Sequence, residues 1–236
     1  MSLLDTPLWD VIKGSFAYEV WERVTPAILE TLYMTGVASL ITLVFGLALG
    51  ILMTVTNPHG LIPLRVFYAV SGWFINILRS LPQMVMIILL IPVARFFFGK
   101  SYGTNPCMIA IAACLIPMYA RIVESSILEI SKGKIDAAKS MGSTYTQIIF
   151  RILLPETLPS LIRGFTVTVI AVLSMTALAG MFGAGGVGDI AVRFGYQRFQ
   201  HDVLFAAVYV LIALVQIIQF LGDFLSKRIL RKRNLI

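Results

Sequence analysis

Polar and apolar positions in this chain fall into long blocks instead of the short alternations of a water-soluble fold. Apolar runs cover residues 31–55, 66–98, 106–122, 161–182 and 203–225 approximately. A helix rises about 1.5 Å per residue and a bilayer's hydrocarbon core is about 30 Å thick, so roughly 20 mostly apolar residues cross it. Four runs meet that length easily, and the run from Pro106 is shorter but nearly uncharged. The second run is interrupted by Arg79, Pro82 and Pro92, and could form one kinked helix or two. Its part before Arg79 would make only about 20 Å of helix, too short to cross, so it counts as one span. The pattern predicts an all-α integral membrane protein of five transmembrane helices, organised as one domain over residues 1–236.

Composition supports a membrane environment, since 58% of the residues are hydrophobic and only 13% charged, against about 25% charged in ordinary soluble domains. The net charge of +7 would suggest nucleic acid in a soluble protein. Here the basic residues crowd at span edges and the C-terminus, which reads as a topology signal, and no nucleic-acid partner is expected. Five spans place the termini on opposite sides. Lys227, Arg228, Arg231, Lys232 and Arg233 face only Asp223 and predict a cytoplasmic C-terminus. Asp5, Asp10, Glu19 and Glu22 outnumber Lys13 and Arg23 before the first span and suit the outer side. With those acids and Trp9 preceding the first apolar run, no cleaved leader is expected. The 132–156 connection, with Lys132, Lys134, Lys139 and Arg151, then falls inside.

That connection carries the most specific pattern in the chain. Asp136-Ala137-Ala138-Lys139-Ser140-Met141-Gly142 is followed after nine residues by Ile152-Leu153-Leu154-Pro155. Ala137, Ala138 and Ser140 suit a short helix that lies close against another surface, Gly133 is expected to break the preceding helix, and Gly142 allows a sharp turn. Ile148, Ile149, Ile152 and Leu153 recur at helical spacing, and Pro155 stands where a following helix would begin. An ordinary helical hairpin would also use small residues and glycine. What separates the two readings is that Ala137, Ala138, Gly142, Ile152, Leu154 and Pro155 fall together at one spacing. The pattern resembles the EAA loop of ABC importer permeases, E-A-A-x3-G-x9-I-x-L-P, with Asp136 where the family usually has Glu. Asp keeps the charge and shortens its reach.

Within that family, Arg79-Ser80-Leu81-Pro82, Ala120-Arg121-Ile122-Val123-Glu124, the glycine-rich 183–188 segment with Tyr196, and Gln219-Phe220-Leu221-Gly222-Asp223 resemble the permease subunits of bacterial methionine importers. The resemblance implies a symmetric pair of subunits in the bacterial cytoplasmic membrane. Two cytosolic ABC ATPase subunits would dock on the paired loops, and an extracytoplasmic methionine-binding lipoprotein would deliver the solute. It implies no cofactor in this chain, with ATP and Mg held by the ATPase. Asp136, Ala137, Ala138, Gly142, Ile152, Leu154 and Pro155 would form the ATPase-coupling loop. Other readings are a permease for another amino acid or small nutrient and, in a different class, an ion-coupled carrier or membrane scaffold.

Remaining motifs carry less. Gly183-Ala184-Gly185-Gly186-Val187-Gly188 matches G-x-G-x-x-G, but follows a membrane run instead of a strand, so helix packing or a loop is expected. Gly99-Lys100-Ser101 imitates the end of a P-loop without its upstream glycine. Arg79 is a candidate path residue or a structural arginine. Ser174, Met175, Leu178 and Met181 are candidates for the translocation path, with ordinary packing as the alternative. Cys107 and Cys114 read as apolar fillers, and His59 and His201 have no clustered partners, so no metal site is expected. No catalytic constellation is present, and the expected role is transport without enzymatic activity of the chain itself.

Overall fold

The structure is a computed structural model that describes residues 8–100 and 103–232. Asp5, Arg233 and Ser101, used above, lie outside the described residues. Among the described residues the chain is helical without strands: α1 (Leu8–Gly14), α2 (Tyr18–Thr56), α3 (Arg65–Ser80), α4 (Gln83–Phe98), α5 (Thr104–Leu128), α6 (Lys132–Ser140), α7 (Tyr145–Ile148), α8 (Leu154–Gly180), α9 (Gly186–Ile190) and α10 (His201–Lys232). Two π-helical segments, Ile149–Leu153 and Ala191–Tyr196, join α7 to α8 and follow α9.

Among the described residues four helical stretches are long and apolar enough to cross a membrane: Tyr18–Thr56, Thr104–Leu128, Tyr145–Gly180 and His201–Arg231. The expected second span is a broken pair, α3 and α4, whose direction turns by 109° at the break. Each half has 16 residues, about 24 Å of helix, less than a bilayer core. The cause is local. Pro82 adopts φ −57 and ψ 134; its ring fixes φ, it has no N–H to donate, and it bars Leu81 from helical geometry. Among the described residues the candidate spans therefore number four, or five when this pair is taken as one span.

Helix α2 begins well before the apolar run at residue 31. Val20, Val24 and Ala27 explain the extension, because they are buried in one core with Val187 and Ile190 of α9 and Val203, Ala206, Ala207 and Val210 of α10. Asn57 forms the turn after α2, accepting from Gly60 N at 2.7 Å through its carbonyl and from His59 N at 3.0 Å through its side chain. Gly99 caps α4, its N–H donating to the Arg95 carbonyl, which is the work of the residue that imitates a P-loop.

The chain divides into two compact units. One comprises Met1–Leu40, Leu81–Cys114 and Val169–Ile218, and the other Ile41–Ser80, Leu115–Thr168 and Gln219–Ile236. The second unit holds α3, the cytoplasm-directed loop of the sequence reading, and a core of Leu61, Tyr119, Val123, Ile127, Ala138, Ile148, Leu153 and Leu161.

Candidate functional site: a capped helical elbow

Within the second unit the 132–156 segment is a helical elbow built from two opposed helix-end signals. Helix α6 starts at Lys132, so Gly133 lies inside it; the break expected at Gly133 occurs at residues 129–131. At the other end Gly142 adopts φ 76. Its N–H donates to the Lys139 carbonyl at 2.9 Å, and Ser143 N–H donates to the Ala138 carbonyl at 3.1 Å. This is a Schellman stop, and it requires a left-handed residue that glycine adopts without a Cβ clash.

Two residues later Thr144 starts the next helix. Gln147 N donates to Thr144 Oγ1 at 3.4 Å, and Thr144 N donates to Gln147 Oε1 at 2.9 Å, closing a capping box. The sequence signal of this box is the T-x-x-Q spacing of Thr144 and Gln147. Helix stop and helix start thus occupy Gly142-Ser143-Thr144, which leaves the chain little slack through the turn.

Pro155 marks the far end of the elbow. It has no N–H for the carbonyl of residue 151, and its ring crowds that carbonyl. The ladder widens over Ile149–Leu153, where Leu154 N–H reaches the Ile149 carbonyl. Helix α8 starts at Leu154 with Pro155 in its first turn, so the chain passes through a π-segment instead of stopping. Ile148 and Leu153 are buried, while Ile149, Ile152, Leu154 and Pro155 are half-buried.

Burial separates the two alanines. Ala138 is 1% exposed and belongs to the core with Val123 and Ile127 of α5, so it anchors the elbow. Asp136, Ala137, Ser140 and Gly142 are exposed. Among the described residues no cation pairs with Asp136, which borders a cavity of about 220 Å3 floored by Val55, Leu61, Ile127 and Leu153. Met141, Tyr145 and Phe150 are large apolar side chains left exposed on the same segment. The sequence signal for Met141 is an apolar residue placed directly before Gly142. An ion pair from Lys134 to Glu156 ties α6 to α8, and Ser126 Oγ meets Ser160 Oγ at 2.9 Å between α5 and α8.

The path candidates belong to both units. Arg79 is exposed on the last turn of α3, where a cation suits the carbonyl end of a helix. In the first unit, Ser174 and Leu178 lie one turn apart near the end of α8 and Met181 lies in the turn that follows it, with Ser174 and Met181 exposed and Leu178 half-buried. Met175 is 0% exposed, packed inside the unit.

The glycine-rich segment of that unit has its amides already engaged. Glu30 Oε2 accepts from Gly186 N at 2.7 Å and Thr31 Oγ1 accepts from Val187 N at 2.9 Å. Gly185 and Gly186 both adopt φ 81. A Cβ on Gly188 would lie 2.5 Å from the Ala177 carbonyl oxygen, so this glycine permits close packing of α9 on α8. Where a dinucleotide would present phosphate to the backbone, this chain presents its own carboxylate. Glu30 and Thr31 escaped the sequence reading because they stand 156 positions away. Nearby, Asp189 pairs with Arg193 at 2.8 Å. Burial pushes the Asp189 carboxyl above its usual range, Arg193 opposes the rise and Glu30 adds to it.

Among the described residues no group of three His, Cys, Asp or Glu is gathered as metal ligands would be. An all-helical membrane subunit with a rigid elbow between long spans is the class these features define. The chain belongs to the family of binding-protein-dependent transport system inner membrane components, whose model matches residues 46–233. It is 41% identical over 208 residues to the methionine import system permease protein MetP of Bacillus subtilis, covering 88% of this chain and 92% of that one. It is 38% identical over 200 residues to a probable D-methionine transport system permease protein, MetI, of Vibrio cholerae, covering 85% and 89%. A solved inward-facing structure of the MetNI methionine ABC transporter superposes with a TM-score of 0.88 at 34% identity, covering 91% of this chain and 99% of that chain. A further amino-acid ABC transporter, at 16% identity and a TM-score of 0.74, shares the fold. The chain is thus a transport component of a bacterial inner membrane, related to permease proteins.

Proposed function

We propose that this chain is the permease subunit of an ATP-driven methionine importer. The elbow carries the reading: its helix stop at Gly142 and capping box at Thr144 give a stiff, partly apolar projection suited to docking in a groove of another subunit. The relatives named for methionine transport supply the substrate. Two copies of the chain enclose a central path, since one five-span bundle is too thin to enclose it alone. Two cytosolic ATPases engage the elbows, and an extracytoplasmic methionine-binding lipoprotein delivers the solute. The N-terminus lies outside and the C-terminus inside, which puts the elbow in the cytoplasm.

In the docked state Asp136, Ala137, Met141 and Gly142 face the ATPase. Ala138, Ile152, Leu154 and Pro155 fix the elbow to the subunit. ATP binding draws the paired ATPases together and the elbows with them, and the helices rock between outward and inward opening. Ser174 and Leu178 on α8 and Met181 in the turn after it are assigned to the path.

Vesicles containing this chain with its ATPase and binding protein test the proposal through uptake of radiolabelled methionine. The expected result is ATP-dependent uptake that excess histidine or glutamine leaves unchanged. ATP-dependent uptake of another solute without methionine overturns the substrate, and methionine uptake indifferent to ATP overturns the importer.

A further inference from the structure

One partly buried polar cluster of the second unit, centred on the buried Glu124, lies outside the elbow. On α5, Arg121 Nη1 donates to Glu124 Oε2 at 2.6 Å, with the two side chains 21% and 4% exposed. Their remaining contacts come from α3, from a single stripe spaced four residues apart. Tyr68 Oη donates to Glu124 Oε1 at 2.8 Å, and Arg121 Nη2 donates to the Gly72 carbonyl at 3.2 Å and to Asn76 Oδ1 at 3.3 Å. A Cβ on Gly72 would come within 3.1 Å of that nitrogen, so the glycine makes room for the guanidinium. Arg121 Nε is buried without a partner.

Apolar packing holds α3 weakly by comparison. Of its 16 residues only Gly72 and Ile75 are buried, and Val66, Phe67, Val70, Trp73, Phe74 and Ile77 are exposed. Apolar surfaces slide over one another at small cost, whereas a desolvated ion pair is directional. A shift of α3 by one turn would strip the pair of its contacts in a low-dielectric setting, where unpaired charge is costly. A buried ion pair of this kind is best attested as a device that selects one register.

The same α5 helix meets the elbow. It passes through residues 129–131 into α6, and its Val123 and Ile127 share a core with Ala138, Ile148 and Leu153. We infer that Arg121 and Glu124 are positioning residues of the transport cycle: they fix the register of α3 on α5, so that displacement of the elbow carries α3 with it. The inference rests on the importer reading for the source of that displacement.

The test uses the full transporter in proteoliposomes with three measurements: thermal melting, ATP hydrolysis and methionine uptake. The variant R121M/E124L removes both charges together and leaves no buried charge unpaired. It is expected to melt within a few degrees of wild type and to hydrolyse ATP, while methionine transported per ATP falls about tenfold or more. Spin labels at Phe74→Cys on α3 and Ser125→Cys on α5, with Cys107 and Cys114 replaced by Ala, report the register directly. The expected distance is narrow and unchanged between nucleotide-free and ATP-trapped states in wild type, and broad in R121M/E124L. An equally narrow distance and wild-type coupling in that variant overturn the inference. If R121M/E124L does not accumulate, Y68F/N76L decides, because it spares the pair and removes contacts from α3. Lowered coupling at unchanged melting supports the positioning role, and unchanged coupling overturns it. Wild-type uptake indifferent to ATP would instead discard the importer reading, and the label distances would still report the register.

Discussion

Replacing Gly142 isolates the contribution of one backbone conformation to coupling. At φ 76 an L-residue pays for its Cβ, roughly 1–2 kcal/mol for the left-handed region. Beyond the adjacent residues no atom lies within 4 Å of the position a Cβ would occupy, so tertiary neighbours add nothing to that strain. If the turn opens to escape it, the bonds from Gly142 N and Ser143 N are lost, at about 1 kcal/mol each. Either route costs Gly142→Ala about 1–2 kcal/mol, which is about 5- to 30-fold in the population of the docking-competent elbow. Asn tolerates the left-handed region and should lose less, and β-branched Val should lose more. The assay is ATPase co-purification and ATP-driven methionine uptake at matched membrane content, for Gly, Asn, Ala and Val in turn. Membrane content should stay level because the turn lies outside the candidate spans' apolar cores. Equal ATPase association and uptake across all four residues would refute the assignment of this turn as the coupling elbow.

Three further outcomes are expected. Thr144→Ala removes the capping acceptor of α7, costing about 1 kcal/mol of local stability; faster amide exchange at Tyr145 to Gln147 would show it, and unchanged exchange would count against the capping box. Glu30→Ala leaves Gly186 N–H without its acceptor, a loss of about 1–3 kcal/mol for a buried donor, so protease cleavage within 183–188 should accelerate while Glu30→Gln, which keeps an acceptor oxygen, loses less. The Asp189 carboxyl is raised in the folded state, mainly by burial. The stability it lends is therefore full below the ordinary aspartate pKa and is lost as pH rises through the raised folded-state value. Melting measured from pH 3 to 7 should show that decline, and Asp189→Asn should abolish it; a variant with the wild-type pH profile would contradict the burial argument.

Sequence alone was enough for features whose cause is local. Runs of apolar residues announce spans because bilayer thickness sets a length, and four of the expected runs appear as helices Tyr18–Thr56, Thr104–Leu128, Tyr145–Gly180 and His201–Arg231. Pro82 announced a break because its ring acts on its own neighbours, and the elbow's stop at Gly142 followed from a residue type and its spacing. Tertiary structure decided what depends on partners distant in sequence. Hydropathy treats Ala137 and Ala138 alike, and only packing on Val123 and Ile127 turns Ala138 inward and leaves Ala137 outside. The 183–188 glycines imitate a nucleotide loop until Glu30 and Thr31 take their amides. Arg121 and Glu124 read as one charged turn of a helix, and the stripe of α3 gives them a register to hold. Spacing along a helix tells which side chains share a face, but the element that meets that face is chosen by the free energy of burying all of them at once.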